Sequence, residues 1–358
     1  MNALWSVNLN ESNGQNSVTN LVLKNFKFSK KYFYPPGFSF SSIFGYFNVV
    51  LNLLNDTFFR NKKVNIFYGV ISRSWFGMVR DLPFYFFTNS YRYIIHIHGA
   101  EINFFWKRNF LKFFFHLLSL NGKCFIIVPS KSIAKILKES SSRFITLSIE
   151  NPYIYEDELI SNEISTKGNL CVFWNSNLLK EKGYLDFLNS LTDMSDEYLK
   201  KINVVVAGKI IGNKKYCDQV NKIHKKLQHK NFKYVGSVTR SEMYYYLQKS
   251  THIILPSYYK TECQPLSIIE GMCNGMQLVI SDLPALLETV GEYPHMLVKK
   301  RDSGSIKNIL EKICHESEKE IVSKNISEKD ISYARKRFNP KTFITNLKPI
   351  FAEPDNFF

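Results

Sequence analysis

The sequence predicts an α/β chain made of two doubly wound domains, and three observations predict it. Short apolar runs alternate with amphipathic stretches of helical period along the whole chain, the pattern of parallel sheets covered by helices. The rhythm breaks at Asn151-Pro152, crosses a polar stretch up to Lys167-Gly168, and then restarts. The length of 358 residues exceeds what one ordinary core holds. Residues 1–152 are therefore read as a first domain and 153–339 as a second.

In the first half, strands are expected at Leu4–Val7, Val64–Tyr68, Tyr93–Ile97, Cys124–Val128 and Phe144–Ser148. Helices are expected at Val18–Phe26, Ser42–Leu54, Phe104–Leu120 and Ser132–Glu139. In the second half, strands are expected at Leu170–Trp174, Asn203–Ala207, Phe232–Val235, His252–Leu255, Gln277–Ile280 and His295–Val298. Tyr184–Leu191, Tyr216–Leu227 and Ser241–Gln248 are among the helices between them. Ligands of such sheets bind beyond the carboxyl ends of the strands, so the loops there carry the functional candidates.

Composition narrows the function classes. A chain that is 45% hydrophobic and 22% charged belongs with soluble globular proteins, not with disordered ones. Six scattered cysteines form no C-x-x-C pair, so metal and redox motifs are not expected, and reduced thiols in a cytosolic protein are. Met1 to Gln15 lacks the basic-then-apolar layout of a signal peptide. Lys107, Arg108, Lys112 and His116 interrupt Phe104–Leu120, whereas a membrane span needs about 20 apolar residues. Charge is uneven: residues 1–150 hold 18 Lys and Arg against 6 Asp and Glu, a net of +12 out of +16. That excess suits substrate phosphates, nucleic acid or an acidic membrane face, and equally a solvated lysine-rich surface.

The stretch from His252 to Asp282 carries the chemistry. A buried strand ends at Pro256-Ser257, and a polar loop leads through Glu262 to Pro265, read as the first residue of a helix that stops near Asn274-Gly275. Backbone N–H groups of Cys263 to Ile268 then lie at a helix entrance, where a diphosphate can rest. Glu262 stands at its mouth, and Glu270 lies about 7–8 Å along the helix from Pro265. A carboxylate so placed accepts from the ribose hydroxyls of a nucleotide whose phosphates sit on the helix end. Two glutamates eight apart occur by chance about once in a chain this long, so it is the ordered context that gives them weight.

That context resembles glycosyltransferase family 4, of GT-B fold: two Rossmann-like doubly wound domains facing a central cleft. Glu262 and Glu270 match its Glu-x7-Glu motif, with Cys263-Gln264-Pro265-Leu266 between them. The resemblance implies that Glu262 contacts the donor sugar, Glu270 the ribose, and the amides around Gln264, Pro265 and Leu266 the sugar and diphosphate. In Ser176–Leu188, Lys182 matches a lysine that clamps the diphosphate, while Asn177 stands where arginine is commonest. A neutral amide cannot neutralise leaving-group charge, which shifts that load to Lys182. The loop after Gly236, with Val238, corresponds to the approach to the base, though Val238 by itself also reads as part of a plain strand-turn-helix.

The first half resembles the acceptor side of the same family. His96 and His98 share one face of a strand end. They lack a third metal ligand at a useful spacing, and each reads either as a satisfied core histidine or as a ligand-facing one. The resemblance assigns His98 to the acceptor or donor sugar and extends, more loosely, to His96. Ser72–Phe84 also resembles a segment of the family's bacterial polysaccharide members, where Arg73 and Arg80 read either as contacts to an anionic acceptor or as exposed arginines without such a role; Gly14, ending the loop from Asn10, falls where relatives turn near the diphosphate. Tyr333–Phe351 corresponds to a final helix that packs back on the first domain, over about 340–358. Retention of anomeric configuration is likewise implied by the resemblance alone.

The expected reaction moves a sugar from a nucleotide sugar to a glycan or polyprenyl-diphosphate-linked acceptor in bacterial surface polysaccharide synthesis. No D-x-D cluster is present, so no metal or other cofactor is expected. The basic, aromatic stretch Phe104–Leu120 suits peripheral contact with the anionic inner face of the cell membrane, and equally a buried helix. Two rivals remain: a nucleotide-sugar epimerase of the same fold, and a non-catalytic nucleic-acid or membrane-binding protein. No nucleic-acid module is recognisable in the sequence, so no nucleic-acid partner is expected.

Overall fold

The structure is a computed structural model that describes residues 2–9, 14–37, 39–59, 64–71, 75–100, 110–154, 170–228, 230–318 and 326–352. The chain divides into two compact units, Met1–Pro152 with Pro340–Phe358, and Tyr153–Asn339.

The first unit runs β1 (Asn2–Val7), α1 (Gly14–Asn25), β2 (Lys30–Tyr34), α2 (Phe40–Leu54) with a π-turn at Asn55–Phe59, and β3 (Val64–Val70). It continues through α3 (Trp75–Arg80), α4 (Leu82–Phe87), β4 (Ser90–His96), α5 (Phe110–Asn121), β5 (Lys123–Val128), α6 (Lys131–Ser140) and β6 (Phe144–Ser148). The sheet is parallel, in the order β2-β1-β3-β4-β5-β6. Its middle strands are apolar runs buried on both faces, as helices on either side require. β2 was not expected: Lys-Lys-Tyr-Phe-Tyr lies at the sheet edge and fully buries only Tyr32 and Tyr34. Helix starts follow their caps, Ser39 accepting from Ser42 N at 3.1 Å and Ser130 from Ile133 N at 3.2 Å. Aromatic rings fill the core, among them Trp5, Tyr34, Tyr68, Phe84 and Tyr93.

The second unit runs β7 (Cys171–Asn175), a 3-10 turn (Lys180–Lys182), α7 (Tyr184–Thr192), α8 (Asp196–Lys201), β8 (Asn203–Ala207), α9 (Lys214–Leu227), β9 (Phe232–Gly236) and α10 (Arg240–Lys249). Then come β10 (His252–Leu255), α11 (Leu266–Cys273), β11 (Gln277–Ser281), α12 (Pro284–Val290), β12 (His295–Val298), α13 (Ser303–Glu318) and α14 (Glu328–Arg337). This sheet is also parallel, ordered β12-β11-β10-β7-β8-β9. Counted within the unit, that is the doubly wound order 3-2-1-4-5-6, which reverses direction between β7 and β10.

The terminal segment Tyr333–Phe351 is not one helix. Pro340 disfavours helical geometry in the residue before it, so α14 stops at Arg337 and α15 (Pro340–Phe351) starts anew. α15 belongs to the first unit. There Phe351 stacks on Phe26 with ring centroids 4.0 Å apart, and Arg92 Nη1 donates to the carbonyls of Ile350 and Ala352, each at 2.6 Å. A cation on the last carbonyls ties down a helix C-terminus.

Candidate active site

The second sheet opens between β7 and β10, and a doubly wound sheet binds its ligand at such a reversal. Two loops leave the strand ends there, and the backbone laces them together. Tyr258 N donates to Glu181 O at 2.8 Å. Gly183 takes φ +80°, and a Cβ on it would lie 2.3 Å from Pro256 O. Both features exclude other residues: the left-handed conformation suits glycine, and the close approach leaves no room for a side chain.

This lacing sets Lys182 Nζ 3.4 Å from Glu262 Oε2, with the two side chains only 14% and 9% exposed. Ser257 Oγ also donates to Glu262 Oε2, at 3.3 Å. Ser257 is fixed in turn by the Ser281 hydroxyl, which donates to its carbonyl from the end of β11. The acid and the base named in the sequence, eighty positions apart, thus form one nearly buried ion pair at the switch point. Such a pair holds geometry, and losing one partner strands the other's charge away from water.

α11 begins beside this pair. Pro265, expected as the first helical residue, is the N-cap, at φ −70° and ψ 125° with no side-chain capping bond. Its carbonyl accepts from the N–H groups of Ile268 and Ile269, so Ile268 is not an open donor as expected. Leu266 and Ser267, in the first turn, have no intrahelical acceptor for their N–H groups. Three polar atoms nearby in sequence or on the same strand ends are buried without a protein partner: Ser267 Oγ, Thr261 Oγ1 and Asn175 Oδ1. Buried polar atoms rarely go unpaired in a finished site. Gln264 and Cys263 are buried on the approach to the helix.

Glu270 lies about 6 Å further along the axis than Leu266. Asn175 Nδ2, at the end of β7, donates to Glu270 Oε2 at 2.5 Å. Asn175, Ser257 and Ser281 were not singled out as site residues; the signal was a polar residue ending each apolar strand. Asn177 is exposed and ties two loops through its Oδ1, which accepts from Lys209 N at 3.3 Å, while Leu178 N donates to Lys209 O at 2.8 Å. Gly208, at φ +145°, passes so near Ser176 that a Cβ would lie 2.1 Å from its carbonyl oxygen. Val238 is half-buried at the core margin, just ahead of the Thr239 cap of α10.

In the first unit the candidates lie apart from one another in role. His96 is fully buried, its Nδ1 2.6 Å from Tyr68 Oη, and its ring faces Phe343 of α15. Burial lowers its pKa to about 3, so it is a neutral core histidine, and the expected ligand contact does not fit it. His98, half-buried just past β4, lies with its ring centroid 4.1 Å from that of His96. Arg80, expected near an anionic acceptor, lays its guanidinium 4.1 Å from the centre of the Tyr34 ring. Gly14 opens α1. Asn10 to Asn13 and Arg73 lie outside the described residues. Among the described residues no three His, Cys, Asp or Glu side chains cluster as a metal site needs, and no helix is long and apolar enough to cross a membrane.

The fold recurs in solved structures. The structure of HepE from Anabaena in complex with UDP and glucose aligns over 99% of both chains with a TM-score of 0.66 and 13% identity. Sucrose-phosphate synthase from Thermosynechococcus elongatus aligns over 98% of both, with a TM-score of 0.69 and 14% identity. A glycosyltransferase from Rickettsia africae covers 98% of this chain and 97% of its own, with a TM-score of 0.65 and 14% identity. At such identities the likeness establishes the fold, which is the GT-B arrangement of two α/β units. No curated protein matches the sequence significantly. Residues 156–336, half of the chain and the whole of the switch-point segment, match the family of glycosyl transferases group 1, and the chain belongs to that family: it is a glycosyltransferase.

Proposed function

We propose that the enzyme is a retaining, metal-independent transferase of the family 4 type. In this reading it passes a sugar from a nucleoside-diphosphate sugar to a glycan or polyprenyl-diphosphate-linked acceptor in bacterial surface polysaccharide synthesis, on the cytoplasmic side of the membrane. The observation that carries it is the Lys182–Glu262 pair beside the start of α11. The unit of residues 153–339 takes the donor, and the remainder takes the acceptor through His98. UDP is the nucleotide of choice, because the similar HepE structure holds UDP and glucose.

Breaking the sugar–phosphate bond builds negative charge on the leaving diphosphate. The N–H groups of Leu266 and Ser267 are fixed dipoles that meet it, and Lys182 adds a cation from beside them. As Lys182 turns to the phosphate, Glu262 is released to accept from sugar hydroxyls. Glu270, steadied by Asn175, accepts from the ribose. Calorimetric titration with UDP, GDP and ADP tests the donor half, with UDP expected to bind best and a Glu270→Ala variant to lose most of that binding. Incubation with UDP-sugar and no acceptor separates transfer from epimerisation: a new sugar epimer would remove the transferase reading of the substrate.

A further inference from the structure

Among the described residues, α2 carries a feature that the proposed function does not use. Phe40, Ile43, Phe44, Phe47 and Leu51 form a stripe at helical spacing, and all five are exposed, Phe40 by 87% and Phe44 by 65%. Of the fifteen residues of α2 only Leu53 is fully buried, and none is charged. Surface helices of soluble proteins turn such a stripe inward and charges outward; contiguous exposed apolar surface marks an interaction site. The surface continues beyond the helix: exposed Phe58 lies 6.3 Å from exposed Phe87 of α4, next to exposed Phe86 in sequence. Of the stretch expected at a membrane, Phe104–Leu120, residues 104–109 lie outside the described residues; α5 buries Phe114, Phe115 and Leu118 and exposes Phe113 and Leu120.

A polar cavity of about 250 Å³ adjoins the second half of α2, lined by Lys30, Lys31, Asn52, Asn55 and Asp56 among others. Lys30 is paired with Asp56 at 2.9 Å. Lys31 is exposed and has no carboxylate partner among the described residues.

We infer that α2 is the face by which the enzyme lies on an anionic phospholipid bilayer, its five apolar side chains among the acyl chains and Lys31 at the headgroups. Three observations select this occupant. At about 22 Å for fifteen residues, α2 is too short to span and fits an in-plane helix. The half of the chain that carries it has a net charge of +12, which anionic lipid complements. A second copy of the chain would bring that same excess of positive charge against itself across a twofold interface. The inference deepens the lipid-linked-acceptor part of the proposed function, but its test uses neither donor nor acceptor, so either can fail alone.

The test is sedimentation of the full chain with vesicles of phosphatidylcholine mixed equally with phosphatidylglycerol, and with phosphatidylcholine alone. The wild type is expected to bind the mixed vesicles, at least tenfold more weakly in the double variant Phe44→Ser/Phe47→Ser, and several-fold more weakly in Lys31→Glu or at high salt. Both variants should keep the wild-type melting profile, since these side chains face outward. Failure of the wild type to sediment, equal sedimentation of the double variant, or equal binding to neutral vesicles overturns the inference. A wild-type dimer that the double variant turns into monomer also overturns it, in favour of a second copy.

Discussion

The two units place six parallel strands under the same kinds of helices, yet the ends of their central strands do different work. In the second unit β7 and β10 end in loops that bring Lys182 and Glu262 to 3.4 Å, with hydroxyls and amides around them. In the first unit β4 ends in His96, packed against Tyr68 and Phe343 and held neutral. One strand end is therefore a charged, hydrogen-bonding edge, and the other is an extension of the aromatic core. Topology supplies the location of a site, but the side chains at the strand ends decide whether charge is kept there or excluded.

The largest expected effect breaks the charged edge. Lys182→Ala should lower kcat/KM for transfer by about a thousandfold, the scale of about 3–4 kcal/mol for losing a preorganised group at developing charge. It should also destabilise the second unit by about 2–3 kcal/mol by stranding Glu262. Adding Glu262→Gln should restore stability in a denaturant titration without restoring turnover; recovery of turnover would mean that the pair is structural. Gly183→Ala comes next. A side chain there adopts left-handed geometry at about 1–2 kcal/mol and collides with Pro256 O, so stability and kcat should fall together. If only stability falls, the lacing of the two loops does not set the active geometry.

A smaller effect is expected at Glu270. Removing Asn175 Nδ2 by Asn175→Ala should raise the donor KM about tenfold with little change in kcat, as for one hydrogen bond to a charged group. The smallest effect on turnover concerns acid, where the change is in folding. Burial lowers the pKa of His96 to about 3 and those of His224 and His252 to about 4. Below the ordinary value near 6.5 the unfolded chain takes up protons that the folded chain refuses, so folding stability falls as pH falls from about 6.5 toward 4. The slope is about 1.4 kcal/mol per pH unit for each histidine in that window. His96→Gln should take one proton out of it, read from denaturation midpoints at several pH values; an unchanged slope would mean that His96 is protonated in the fold.

What could be read locally was read well where residues repeat a local period. Asn203–Ala207, His252–Leu255 and His295–Val298 are strands with the expected bounds, because each is a short, mostly apolar run between polar stretches; of the three only β10 is buried throughout. β2 escaped because an edge strand needs only alternate burial, and Lys-Lys-Tyr-Phe-Tyr reads as a polar stretch. The acidic and basic candidates were legible by type and context, but their pairing was not. Asn177 gave no sign that its amide would serve a backbone N–H thirty-two positions away.

By itself, then, the chain determined the alternation of strands and helices, the restart after Pro152 and the residue types at the second unit's strand ends, since each depends on neighbours within a few positions. Only the tertiary structure decided that Lys182 meets Glu262, that His96 is sealed while its neighbour two residues on is half-open, and that α2 turns its apolar stripe outward. Sheet order and helix docking bring together residues far apart in sequence. No local period encodes which of two similar side chains is covered and which faces water.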